Sequence, residues 1–144
     1  MTDVIEDKLI QFIAQDALDP LSFVKTAYPW GRGDLHDSDG PRDWQKQILS
    51  DIGDHLKNPE TRFTPLQIAV ASGHGIGKSS LISMVMHWAL STCVDCKIIT
   101  TASTETQLRT KTWPEVSKWF RMAINSHWFN VTATAIASIS TTNS

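Results

Sequence analysis

Residues 72 to 79 read SGHGIGKS, and their types fall where a phosphate-holding turn needs them. Glycines at 73, 75 and 77 keep the turn bare, so anionic oxygens can approach main-chain N–H groups at a helix start. Lys78 offers positive charge to the outer phosphates and is the candidate catalytic residue. Ser79 offers a hydroxyl to Mg²⁺, the metal arriving with the nucleotide. The pattern GxxxxGK[ST] asks for glycine first; Ser72 stands there and Gly73 follows at once. Ser72, Gly73, His74, Gly75, Ile76, Gly77, Lys78 and Ser79 are therefore the expected nucleotide-binding set.

Hydrolysis asks for carboxylates as well, one to orient Mg²⁺ and another to position water. After Ser79 the acids are Asp95, Glu105 and Glu115. Asp95 sits in a turn, and the two glutamates fall on helical stretches. None closes a run of apolar strand residues, so the metal-and-water half of such a site is expected to be missing.

The turn must be carried by flanking elements, and the text supplies them. LQIAVAS reads as a short buried strand before it, and Ser79 to about Leu90 as a largely apolar helix after it. CKIITTAS reads as a second strand. A helix follows from about Thr104 to Ile124, with Pro114 opening its second segment. WFNVTATAIAS alternates as a third strand. Upstream, helices are expected over residues 4–16, about 21–27 and 44–56, separated by the Gly- and Asp-rich YPWGRGDLHDSDGPR. Strand, helix, strand, helix, strand predicts an α/β fold: a partial P-loop NTPase domain with a short parallel sheet and crossover helices. The expected division is an N-terminal helical segment and loop, 1–40, then an incomplete P-loop ATPase domain, 41–144.

Composition narrows the partners. A hydrophobic share of 41% and a charged share of 19% suit a globular chain, and a net charge of −2 provides no general footprint for nucleic acid. The N-terminus carries early acids and does not read as a signal peptide, while LISMVMHWAL is about half a bilayer span. No membrane association and a cytoplasmic location are expected. Cys93 and Cys96 form CVDC, but no second Cys/His pair completes a zinc set, so they are expected to be buried or turn cysteines.

In order along the chain stand DPLSFVKTAYPWG, GPRDWQKQIL, ASGHGIGKSS, TTASTETQLRTKTWPEV and WFRMAINSHWF…TATAIAS. Together they resemble the N-terminal ATPase region of tailed-phage terminase large subunits, over about residues 19 to 137. The resemblance implies ATP with Mg²⁺ as cofactors, and Trp44-Gln45 as an adenine-recognition element in which the Gln45 amide meets the base. The alternative for Gln45 is a solvent-facing side chain. The resemblance extends the phosphate loop to Ser80. It implies a ring-shaped motor acting on double-stranded phage DNA, with a small terminase subunit and a portal as partners. Thr101, Ser103, Thr104 and Gln107 would lie in a motif coupling nucleotide to DNA, or simply start a helix with Ser103 or Thr104 as cap. Lys111, Lys118 and Arg121, interleaved with Trp113 and Trp119, would serve DNA backbones or be solvated neighbours of buried tryptophans. His127-Trp128-Phe129 is expected in the core.

Two departures stand out. Several terminases carry an arginine within the loop, where this chain has Gly73, His74, Gly75 and Ile76, and His74 is mostly neutral near pH 7. The acidic strand and nuclease domain of the family are also not in this text, so a truncated motor with weak or no turnover of its own is expected. Open alternatives are a helicase-like P-loop ATPase fragment, a nucleotide-binding module that does not hydrolyse, and an inert, partly unfolded relic.

Overall fold

The computed structural model describes residues 2–70, 77–93 and 95–138. Its frame is helical. Helices α1 (Thr2–Ala14), α2 (Pro20–Ala27), α3 (Asp43–Lys57) and α4 (Lys78–Thr92) are followed by a broken helix: α5 (Glu105–Gln107), a π-turn (Leu108–Thr112) and α6 (Trp113–Met122). Strands β1 (Phe129–Val131) and β2 (Ile136–Ser138) pair antiparallel, with Asn130 opposite Ala137.

Local chemistry sets these boundaries. The Asp19 carboxylate caps α2 by accepting from the Ser22 N–H at 3.1 Å, and Pro20 fills the first turn, where a missing N–H costs nothing. Thr104 caps α5, its hydroxyl accepting from the Gln107 N–H at 3.0 Å. Pro114 lies in the first turn of α6, directly after the widened π-turn. A proline ring and absent N–H cannot be absorbed inside a continuous helix, so the ladder is interrupted there.

The apolar stripes pack helix against helix. Ile13, Phe23, Val24, Leu49, Leu81, Met84, Trp88 and Trp119 are buried together, which joins α1 and α2 to α3, α4 and α6 in one core. A second cluster, Met86, Val116, Phe120 and Phe129, seats the hairpin against α4 and α6. Helix α4 is apolar around most of its circumference because it is the element that the others enclose. Gly53 on α3 has a packing reason: a Cβ there would come within 3.3 Å of the Leu18 carbonyl oxygen, at the entry to α2.

This architecture corrects the expected fold. Among the described residues there is no parallel sheet and no pair of crossover-connected strands, so the P-loop NTPase domain expected from strand–helix alternation is not formed. Residues 65–70 run outside any ladder, with Leu66, Ile68 and Val70 exposed. The last two residues of LQIAVAS lie outside the described residues. Residues 96–100 are also unladdered, with Ile99 89% exposed. A parallel strand needs helical cover on both faces; here α3, α4 and α6 spend their apolar faces on the helical core instead. The expected third strand is a hairpin. Its midpoint turns because the Thr132 hydroxyl accepts from the Ala135 N–H at 3.0 Å, while the Thr132 N–H donates to the Ala135 carbonyl at 2.9 Å.

One clasp joins distant parts of the chain. Glu6 on α1 accepts from the Trp128 indole N–H and lies 3.0 Å from His127 Nε2. The indole first, and His127 second, hold the Glu6 carboxyl below its ordinary range. His127 itself is exposed and Trp128 half-buried, so of the expected core trio only Phe129 is buried.

Candidate functional site

Helix α4 begins at Lys78, directly after Gly77. Gly77 is its N-cap in the left-handed region, φ 94° and ψ 26°, a conformation that favours a residue without Cβ. The Gly77 carbonyl accepts from the Leu81 N–H at 3.0 Å and from the Ser80 hydroxyl at 2.9 Å. Ser72, Gly73, His74, Gly75 and Ile76 lie outside the described residues.

Gln45 locks this turn to α3. It is 3% exposed, so it is not the solvent-facing residue that one reading of the sequence allowed. Its Oε1 accepts from the Arg42 N–H at 2.9 Å, closing the start of α3. Its Nε2 donates to the Gly77 carbonyl at 2.9 Å and to the Ser80 hydroxyl at 3.0 Å. The amide named by resemblance for an adenine edge is thus engaged within the protein, joining two helix starts. A Cβ on residue 77 would sit 2.7 Å from Gln45 Nε2, so Gln45 in this position requires a glycine there.

A cavity of about 410 Å³ opens at this junction, lined by Trp30, Arg42, Lys78, Ser79, Glu115 and Trp119 among others. Its size suits a small organic ligand. The starts of α3 and α4 both reach it, each presenting the positive end of a helix dipole, and each brings a cation, Arg42 and Lys78. The first turn of α4 holds no acid. Lys78 is the first residue of α4, at the positive end of its dipole. Two cations, Arg42 and Lys78, and one carboxylate, Glu115, thus stand among the described residues lining the cavity.

Trp119 forms an aromatic wall. It is 6% exposed, meets Tyr28 edge-on at 5.0 Å and lies 5.8 Å from Trp30. Its indole N–H donates to Glu115 Oε1 at 2.9 Å. Sequence reasoning set Glu115 aside because it lies on a helix. The signal was the i,i+4 spacing of Glu115 and Trp119, which gives a carboxylate a fixed donor.

Other named residues fall elsewhere. Ser103 and Gln107 bond to one another at the start of α5, and Thr101 is exposed. Lys111, Lys118 and Arg121 are exposed, while Trp119 is in the core and Trp113 donates to the Thr132 carbonyl at 2.9 Å. Those tryptophans hold structure together. Cys93 is exposed and Cys96 half-buried; burial, then the neighbouring Cys93, pushes the Cys96 thiol up. Among the described residues no three metal-ligating side chains cluster. A larger cavity of about 680 Å³, lined mainly by apolar residues such as Met86, Ile98, Leu108 and Ile136, shares no residue with the first.

Behind the site runs a buried polar chain that the sequence did not announce. The Tyr28 hydroxyl and His87 Nδ1 are 3.0 Å apart, and His87 Nε2 lies 2.6 Å from Asn125 Oδ1. Asn125 Nδ2 then donates to Ser91 at 2.9 Å. An amide oxygen only accepts, so His87 carries its proton on Nε2 and accepts from Tyr28 on Nδ1. Its ring stacks on Phe120 at 4.6 Å. Burial lowers its pKa to about 4, with the Asn125 bond opposing in part.

No protein-family model, curated protein or solved structure matches the chain. Among the described residues no helix is long and apolar enough to cross a membrane.

Proposed function

We infer that the cavity at the start of α4 binds the phosphates of a nucleoside triphosphate, with ATP and Mg²⁺ as the cofactors. The observation that carries the reading is the convergence of Arg42, Lys78 and two helix N-termini on one ligand-sized cavity. Lys78 reaches the outer phosphates, the Ser79 hydroxyl faces the accompanying metal, and Trp30 offers an aromatic surface to the base. Gln45 acts here as a positioning residue, since its amide holds the Gly77 turn.

The ordered sequence resemblance to phage terminase large subunits supports a place for this chain in the ATP-binding part of a DNA-packaging motor. In that reading the motor works in the host cytoplasm on double-stranded DNA, with a small terminase subunit and a portal. No P-loop sheet forms among the described residues, so the cavity and the motif alone carry this place for the chain.

Titration of the full chain with ATP, followed by tryptophan fluorescence from Trp30 and Trp119, tests it. Saturable quenching that disappears in Lys78→Ala is the expected result. A wild-type chain that shows no saturable response to ATP, by fluorescence or by calorimetry, overturns the reading.

A further inference from the structure

Among the described residues lining the cavity, Glu115 brings the one carboxylate, beside the cations Arg42 and Lys78. It is half-buried in the first turn of α6, and its Oε1 is fixed by the indole N–H of a tryptophan that is itself buried. A carboxylate has about four lone-pair directions, so one bond from Trp119 orients the group without exhausting it. Placed beside triphosphate oxygens, such a charge repels them unless a cation stands between. Mg²⁺ is suited to that place: it keeps several waters and is held by one or two carboxylates together with substrate phosphates. Among the described residues no cluster of three ligating side chains exists to hold a metal beforehand. The ion would therefore enter with the nucleotide.

Building on the phosphate reading above, we propose that Glu115 is the acidic ligand facing the Mg²⁺ of a bound Mg–nucleoside triphosphate, opposite the Ser79 hydroxyl. The Trp119 indole orients the carboxylate, as an outer hydrogen bond orients a metal-binding group. The acid is supplied by α6, a helix packed beside α4.

The test compares ATP affinity in excess Mg²⁺ and in excess EDTA for the wild-type chain and Glu115→Gln. Glutamine keeps an oxygen to accept from Trp119, and a melting curve checks that the variant is folded. In the wild type, Mg²⁺ is expected to strengthen ATP binding by about tenfold or more. In Glu115→Gln that gain is lost, while metal-free binding tightens because a repelling charge has gone. A purely structural residue would weaken both conditions alike, and that pattern overturns the proposal. A variant that keeps the Mg²⁺ gain also overturns it, leaving the phosphate reading intact. A wild-type chain that binds ATP in neither condition overturns both. As a second measurement, Mn²⁺·ATP is expected to broaden the Trp119 indole N–H resonance in the wild type, and an unbroadened signal at saturation counts against Glu115.

Discussion

Gln45 Nε2 donates to the Gly77 carbonyl at 2.9 Å, across thirty-two residues of sequence, and so couples the start of α3 to the start of α4. The same amide closes the first turn of α3 through Arg42. Two helix dipoles are held on one cavity by one buried side chain.

Gln45→Ala is expected to destabilise the chain by about 2–4 kcal/mol, since it empties a buried position and removes the bonds that tie the Arg42 N–H and the Gly77 carbonyl to one side chain. Gly77→Ala should cost about 1–3 kcal/mol through left-handed strain and the clash with Gln45. Urea unfolding measures both. A loss well under 1 kcal/mol in each would show that the lock does not hold the turn.

Lys78→Ala is expected to weaken ATP binding by at least about tenfold, the scale of one charge-assisted hydrogen bond. The variant should remain folded, because alanine favours helix and a cation is removed from the positive end of α4. Calorimetric titration beside a melting curve separates the two effects. Unchanged affinity in a folded variant would place the phosphates elsewhere.

Acid should loosen the core through His87. Its folded pKa is about 4 and its unfolded reference 6.5, so the unfolded chain takes up a proton first as pH falls. This contribution to stability is complete above about pH 6.5 and is lost progressively down to about pH 4. Over that window the group removes about 3 kcal/mol. His87→Gln, which cannot take a proton, should flatten this part of the stability profile. Parallel profiles for the two proteins would disprove the assignment.

Asp19→Ala should cost about 1 kcal/mol by uncapping α2. The same carboxylate lies 3.5 Å from Lys57, a largely exposed pairing that adds little. Guanidinium unfolding with an unchanged slope is the expected readout.

The helices were legible because their apolar residues recur at helical spacing and their ends carry Asp19, Pro20 and Thr104. The strands were not. LQIAV and KIITT are short apolar runs whose state depends on what covers them, and nothing in five residues reports that. The alternation in WFNVTATAIAS continues across a turn that Thr132 makes with its own side chain. At the candidate site, motif chemistry named Lys78 and Ser79, and both line the cavity. The i,i+4 spacing with Trp119 was legible for Glu115, but its place on the cavity came only with the packing of α6 beside α4, and the burial of Gln45 only with its contact to Gly77. Tyr28, His87 and Asn125 are separated by 59 and 38 residues, so their chain has no local signature.

The clasp from Glu6 to His127 and Trp128 bears on how the molecule is born. Its two sides lie 121 and 122 positions apart, so during synthesis the first helix emerges long before its latch exists. Closing so wide a loop carries an entropic toll that grows only slowly with length, which leaves waiting time as the larger hindrance. Until the ribosome has delivered Trp128, the apolar side of α1 has only its contacts with the interior to keep it in place.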